Sequence, residues 1–187
     1  MTFRPHTLGV DDAPFDKRQT TPVPIIGVAM EGNDLIESIA LGEFPVDGDG
    51  ATEYLATWIA GLRARPMLQA VILGGITIAG LGIIDTVALA ERLGLAVLVV
   101  TRHNPARSEL DSALRAAGLM DRLSLLEGIP RAYSAGDGLY LAHAGATRME
   151  AERLLAATLG KSKLPEPLRV AHLIGQAIVL RESRGRV

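Results

Sequence analysis

Residues 70–84 read AVILGGITIAGLGII, a 15-residue stretch without a charged side chain. It is shorter than the run of roughly 18 apolar residues that a membrane-spanning helix needs, and four glycines interrupt it. A continuous apolar run such as Ala70–Leu73 is typical of a strand that is covered on both faces, as in a parallel sheet. We therefore predict a buried strand at 70–73, followed by a loop and a helix over 84–93, and we expect no membrane partner.

The alternation of strand and helix continues towards the end of the chain. The apolar run LAVLVV at 95–100 predicts another strand covered on both faces, and apolar spacing predicts the helices that follow. Residues 119–136 fit either a short helix or a strand, so their structure stays open. The pattern indicates a doubly wound second half, with a strand at 96–100, a helix at 107–117, a strand at 139–143, and helices at 148–159 and 166–181.

The first part of the chain has a different pattern. Three segments rich in Ile, Val and Leu are separated by stretches that carry Pro, Asp and Gly, which predicts an antiparallel meander. The predicted strands are 6–10, 23–30 and 35–44, and the spacing of apolar residues predicts a helix at 51–64. The whole order is similar to the ribonuclease H-like fold. It predicts one α/β domain over 1–187, with a core at about 6–181, a mixed sheet and helices on both faces. We expect the first strand and the strand at 70–73 to be neighbours at the centre of this sheet.

Composition excludes several classes of site. The chain has no cysteine, which excludes a disulfide scaffold, a thiolate zinc site and a cysteine nucleophile. With 19 Lys+Arg and 21 Asp+Glu the net charge is −2, so any surface that binds nucleic acid must be a local basic patch. The first residues lack the apolar run of a secretory signal, and a cytoplasmic location is expected.

Three phosphate- or calcium-binding patterns are present only in part. Gly160-Lys-Ser lacks the upstream glycine of a phosphate-binding loop, because Leu155 stands there. Gly80 and Gly82 precede a helix, but the third glycine of the dinucleotide fingerprint is replaced by Asp85. The Asp47–Gly50 turn has Thr52 where a calcium loop needs glycine. These incomplete patterns make a small-molecule enzyme of the α/β class the least favoured of the three functional hypotheses. The other two, a nuclease and a nucleic-acid or nucleotide binding module, are set out below.

Two carboxylates, Asp11 and Asp12, close the first predicted strand. A turn with a capping aspartate is one interpretation. The other is a metal ligand at the carboxyl end of a central strand, where open α/β sheets bind their substrates and where hard cations find oxygen ligands. Side chains alternate along a strand, so only one of the two is expected to point to a given site.

A polar stripe runs along the last predicted helix, which is apolar on its other sides. Glu166, Arg169, His172 and Gln176 are spaced by 3, 3 and 4 residues. Either Glu166 pairs with Arg169 and His172 is a core histidine, or the stripe faces a cleft where His172 acts as base or ligand and Arg169 holds an anion. We predict that His172 meets Asp11 or Asp12.

Two further histidines end predicted strands. His103, beside Arg102, follows the strand at 96–100 and lies where a cleft at the carboxyl ends of the strands would be. His143 ends a later strand and is the weaker candidate.

Several segments together resemble a family of archaeal and bacterial proteins of unknown function that is similar to endonuclease V. They are Gly9–Phe15, Val46–Thr52, Gly75–Gly80 with Asp85, Arg102–Pro105 and Pro165–His172. The resemblance covers about 6–178 and implies a ribonuclease H-like fold with magnesium-dependent cleavage of a phosphodiester near a deaminated base.

The resemblance also implies roles for single residues. Asp11 matches the first-strand catalytic aspartate, the turn at 47–49 lies near the second acid, and His172 falls where endonuclease V has a late aspartate. Gly74 departs from the family's pattern, because related members carry Asp at this position. Without that acid, a two-metal site would need Asp85 or Asp49 to supply a ligand.

The leading hypothesis is a metal-dependent endonuclease that acts on damaged or deaminated DNA, with Mg²⁺ or Mn²⁺ as cofactor and DNA favoured over RNA as partner. The alternative is a nucleic-acid or nucleotide binding module that kept the pocket and lost the chemistry. The candidate residues are Asp11, Asp12 and His172 for catalysis, Asp11, Asp49 and Asp85 for metal, and Arg102, His103, Arg169, Lys17 and Arg18 for phosphate or substrate.

Overall fold

The computed structural model describes residues 3–184. Its strands are β1 (His6–Asp12), β2 (Val23–Glu31), β3 (Leu35–Phe44), β4 (Ala70–Leu73), β5 (Thr77–Ile78), β6 (Gly82–Ile83), β7 (Ala96–Thr101), β8 (Tyr133–Gly136) and β9 (Leu139–Ala144). Its α-helices are α1 (Ala51–Ala60), α2 (Thr86–Leu93), α3 (Arg107–Ala116), α4 (Leu123–Glu127), α5 (Arg148–Thr158) and α6 (Glu166–Leu180). Within 3–184, no helix has both the length and the apolar composition to cross a membrane.

Seven strands form one mixed sheet in the order β3-β2-β1-β4-β7-β9-β8. The first three strands are the predicted antiparallel meander. β4 lies parallel to β1 with Val10 opposite Leu73, and β7 lies parallel to β4. The prediction that the first strand and the 70–73 strand are central neighbours is confirmed. Their carboxyl ends therefore open at the same edge of the sheet.

The prediction of parallel winding through the second half is wrong for β9. This strand runs antiparallel to β7 and forms a hairpin with β8. The hairpin turn has positive φ at Gly136, Asp137 and Gly138, a conformation that Gly and Asp adopt at low cost. β8 lies within residues 119–136, whose structure could not be decided from the sequence. The chain reverses direction in the turn between β8 and β9.

Helices cover both faces of the sheet, as predicted. On one face α1 and α2 pack with Leu55 and Leu89 against a cluster that includes Val71 and Val97. On the other face α5 and α6 pack against the alternate residues of the same strands, among them Ile72. Alternating side chains of β4 thus enter both clusters, which is why its sequence is apolar without interruption.

Two helix boundaries differ from the predicted ones by more than one residue. The helix predicted at 51–64 ends at Ala60, where Gly61 follows, and a 3₁₀ turn over Arg65–Met67 completes the connection. The helix predicted from residue 84 begins at Thr86, because the Asp85 side chain caps it. The loop between β4 and α2 contains the small β5–β6 hairpin, which sequence periodicity did not predict.

Candidate active site at the carboxyl ends of the central strands

Three residues meet where β1 and β4 end. Asp11 and Asp12 are the last two residues of β1, and Gly74 directly follows β4. Side chains of adjacent strand residues leave opposite faces of a sheet. Accordingly Asp11 is directed to the α6 side, where it bonds His172, and Asp12 to the β5–β6 side, where it bonds Ala79.

Helix α6 reaches this edge because its first turn lies directly on β1. A Cβ added at Gly9 would stand 2.2 Å from the carbonyl carbon of Pro167, so only glycine permits this approach. Further along, Ala171 and Gly175 are also buried against the sheet. The close packing aligns α6 with β1 and sets His172 opposite Asp11.

The predicted meeting of His172 with a first-strand carboxylate is confirmed. His172 Nδ1 lies 2.8 Å from Asp11 Oδ2, with side-chain exposures of 34% and 20%. The hydrogen bond to Asp11 raises the pKa of His172 above its usual value, while burial and the positive charge of Arg102 oppose that shift. The pair therefore lies at the wall of a cleft and not in an aliphatic core.

Asp12 is held by the loop that contains the β5–β6 hairpin. Its Oδ2 accepts a 2.7 Å hydrogen bond from the backbone N–H of Ala79. Burial, and then the charge of Asp11, raise the pKa of Asp12. Two carboxylates that repel each other thus line one cavity of about 190 Å³, together with Gly74 and Thr77.

A larger groove of about 450 Å³ opens on the α6 side of Asp11. Arg102 and His103 line it together with His172, as the sequence predicts for a cleft at the end of β7. Both side chains of the 102–103 pair are exposed, so they are free to meet an anionic ligand. Leu164 and Leu168 form an apolar wall.

Sequence reasoning missed a third cavity of about 340 Å³ beside this groove. Asn104 and Arg131 line it with an apolar wall that includes Ile76 and Leu110. It shares Thr101 with the 450 Å³ groove. Part of this cavity is built by residues 129–132, within the segment whose structure the sequence left open, and that is why no pattern indicated it.

The other predicted phosphate ligands lie elsewhere. Arg169 pairs with Glu166, as in the first interpretation of the polar stripe. Its Nε and Nη2 atoms lie 2.8 Å and 2.6 Å from Glu166 Oε2. Lys17 and Arg18 lie in the exposed loop between β1 and β2, where Arg18 bonds Asp16. Their assignment as phosphate ligands stays a prediction.

Asp85 and Asp49 are not brought to Asp11. Asp85 Oδ1 accepts 3.0 Å hydrogen bonds from the N–H groups of Val87 and Ala88 as the cap of α2. Asp49 is exposed, and its Oδ1 accepts from the N–H of Gly50. Over residues 3–184, no group of three or more His, Asp or Glu side chains is arranged to hold a metal ion. A role for either residue as a metal ligand therefore stays a prediction.

His143, the weaker candidate, lies within the sheet. It pairs with Leu98 in the β7–β9 ladder and its ring meets the Tyr133 ring edge-on, with 6.0 Å between centroids. It does not line any of the three cavities described above.

The fold is similar to that of endonuclease V. Endonuclease V of Ciona intestinalis, solved in complex with a 24mer DNA containing an inosine followed by a ribo-adenosine, superposes with a TM-score of 0.57 at 13% identity. The match covers 90% of this chain and 82% of that chain. The likeness is one of fold, a mixed sheet with helices on both faces.

Closer relatives place the chain in a family. The family model for endonuclease dU matches residues 4–179, so the chain belongs to the endonuclease dU family. A UPF0215 protein of Methanothermobacter thermautotrophicus is 34% identical over 95% of this chain and 89% of the relative. A protein of unknown function from Archaeoglobus fulgidus, whose crystal structure is solved, has a TM-score of 0.85 at 32% identity and covers 94% of this chain and 98% of that chain.

Proposed function

We propose that this protein is a nuclease that hydrolyses a phosphodiester in DNA close to a deaminated base. The observation that carries the proposal is Asp11, a carboxylate at the carboxyl end of a central strand, fixed by His172 and open to two adjoining cavities. The family description names an endonuclease and dU, the symbol for deoxyuridine, which is the deaminated form of deoxycytidine. The inosine in the Ciona complex is likewise a deaminated nucleoside. These names support DNA with a deaminated base as substrate.

The donor set suits one hard cation and not a pair. Asp11 and Asp12 each have one oxygen engaged, by His172 and by the N–H of Ala79 respectively. Both residues line the 190 Å³ cavity. One or two carboxylates, with water and substrate phosphate, are the usual protein ligands of Mg²⁺. Gly74 adds no donor, so the carboxylates needed for two metals are missing.

We infer that Asp11 and Asp12 would hold a single Mg²⁺ or Mn²⁺ ion. When bound, such an ion lowers the pKa of a coordinated water and stabilises the leaving oxygen. His172 keeps the Asp11 carboxylate in one orientation, because both of its ring nitrogens are engaged. In this arrangement His172 orients Asp11 and does not itself take a proton from water.

The groove on the α6 side would hold the DNA backbone. Arg102 and His103 are exposed and line it together with Leu164 and Leu168. Phosphate contacts from such side chains position a strand without reading its sequence. Together they would set a phosphodiester next to Asp11.

One observation favours a second candidate function. Gly74 is exposed at the boundary of both cavities that contain Asp11, and it leaves the site with a single pair of carboxylates. A protein with this pocket and without catalysis would bind nucleic acid in a manner that does not depend on metal.

Cleavage assays separate the two functions. Oligonucleotides that contain uracil or hypoxanthine are incubated with Mg²⁺ or Mn²⁺ and with the wild type, Asp11→Asn or the control Asp137→Asn, which changes an exposed side chain in the β8–β9 turn. We expect the Asp11 variant to lose about 100-fold or more in rate, within the range of an essential catalytic group, and the control to retain activity. Equal rates for wild type and Asp11→Asn would refute the nuclease proposal. Saturable binding that chelators leave unchanged would then support the binding module.

A further inference from the structure

Both ring nitrogens of His172 have partners. Nδ1 lies 2.8 Å from Asp11 Oδ2, and Nε2 lies 3.0 Å from Nε2 of Gln176. Gln176 is one helical turn after His172, so the two side chains are neighbours on the same stripe of α6. An amide nitrogen carries two protons and can only donate. The contact therefore requires the unprotonated form of His172 Nε2.

The orientation of the Gln176 amide is fixed from the backbone. Its Oε1 accepts a 2.9 Å hydrogen bond from the backbone N–H of Arg184. A backbone N–H cannot accept, so the oxygen of the amide must face Arg184 and the nitrogen must face His172. The proton of neutral His172 is then on Nδ1, which donates it to Asp11 Oδ2.

The segment after α6 makes this contact possible. α6 ends at Leu180, and Arg181 adopts a left-handed conformation with φ 64°. The chain turns there, and the N–H of Arg184 meets the side chain of Gln176 eight residues earlier. A hydrogen-bonded sequence thus runs from the segment at 181–184 through Gln176 and His172 to Asp11.

We propose that Gln176, anchored by the backbone N–H of Arg184, is a positioning residue that sets the Nδ1–H tautomer of His172 and thereby orients the Asp11 carboxylate. The functional meaning of this inference rests on the proposed function, in which Asp11 is the central group. The tautomer itself is a property of the protein without DNA or metal. It can therefore be measured whether or not the chain cleaves DNA.

The test compares Arg184→Pro with Arg184→Ala. Proline removes the N–H that anchors Gln176, whereas alanine removes the exposed Arg184 side chain and keeps that N–H. Two-bond ¹H–¹⁵N NMR spectra of the histidine rings distinguish protonated from unprotonated nitrogens. The spectra are recorded on the metal-free full chain at about pH 9, well above the usual pKa of histidine.

For the wild type and Arg184→Ala we expect a protonated Nδ1 and an unprotonated Nε2. For Arg184→Pro we expect the separation between the two ¹⁵N shifts to be reduced, because a freed Gln176 amide can present either end to the ring.

The proposal is overturned if the wild type carries its proton on Nε2, or if Arg184→Pro and Arg184→Ala give the same ring spectra. Failure of the nuclease proposal would leave these spectra unchanged. If the wild type cleaves DNA, Arg184→Pro should lower kcat with little change in KM, because it alters the orientation of Asp11 and not the rim of the groove. An unchanged kcat despite a changed tautomer would overturn the link between the tautomer and Asp11.

Discussion

Replacing Gly9 with alanine should separate Asp11 from His172. The added Cβ would lie 2.2 Å from the carbonyl carbon of Pro167 and 2.4 Å from the nitrogen of Leu168. Both are backbone atoms of the first turn of α6, which cannot rotate away as a side chain can. Since non-bonded carbon atoms settle at about 3.5–4 Å, the turn must retreat by more than about 1 Å.

The size of the effect follows from two contributions. Forcing a methyl group into a close-packed contact costs about 1–3 kcal/mol. A shift of about 1 Å takes the 2.8 Å contact between His172 and Asp11 beyond hydrogen-bonding range. This bond to a charged group is worth about 1.5 kcal/mol, the lower end of the usual range, because the pair is partly exposed. We expect a total loss of about 3 kcal/mol in the free energy of unfolding, or a fall of about 6–12 °C in Tm.

Urea denaturation followed by circular dichroism measures this loss, and the ring nitrogens of His172 report the contact by NMR. The matched control is Gly74→Ala, whose Cβ would lie 3.7 Å from the Leu168 side chain in an ordinary contact, with a change of about 0.5 kcal/mol or less. The reasoning is refuted if Gly9→Ala is as stable as Gly74→Ala and its His172 spectrum is that of the wild type.

Three other outcomes are expected. Asp85→Ala should lose about 1 kcal/mol of unfolding free energy through the missing cap, whereas Asp85→Asn keeps an acceptor and should lose little; abolished Mg²⁺ binding in the asparagine variant would instead make Asp85 a ligand. Because Asp11 raises the pKa of His172, their pairing adds stability that is fully present below the unfolded pKa of about 6.5 and is lost as pH rises through the folded pKa. The stability difference between wild type and Asp11→Asn, measured without metal, should therefore shrink as the pH rises above about 6.5, and a constant difference would contradict this. Gly74→Asp should tighten Mg²⁺ binding about tenfold in calorimetry, a gain of roughly 1.4 kcal/mol, because its Cβ would lie 4.0 Å from Asp11 Oδ1; equal affinity for Gly74→Asp and Gly74→Ala would count against this geometry.

Most of the sheet is predictable because its patterns are local. Apolar runs at 70–73 and 95–100 indicate strands covered on both faces, and the structure places them as parallel neighbours. The direction of β9 was predicted wrongly because it depends on the hairpin before it. The Asp137-Gly138 pair was the available signal, since this dipeptide favours tight hairpin turns.

The site was predictable where it depends on spacing. A polar stripe on an otherwise apolar helix needs polar neighbours or water, because an unpaired buried polar group costs about 1–3 kcal/mol, and this indicated the contact between His172 and Asp11. The role of Asp85 could not be decided in the same way. An aspartate directly before a helix looks the same in the sequence whether it caps the helix or binds a metal ion. The tie from Arg184 to Gln176 depends on how the chain turns after α6, which no periodicity reveals.

The open space at Gly74 has an evolutionary consequence. The atoms nearest to a Cβ added there are the two Leu168 methyl carbons at 3.7 Å and Asp11 Oδ1 at 4.0 Å, all at ordinary contact distance. Glycine codons that end in a pyrimidine differ from an aspartate codon by one base. The present site and one with an additional carboxylate are thus adjacent in mutational space, and a lineage can move between them without passing through a misfolded intermediate.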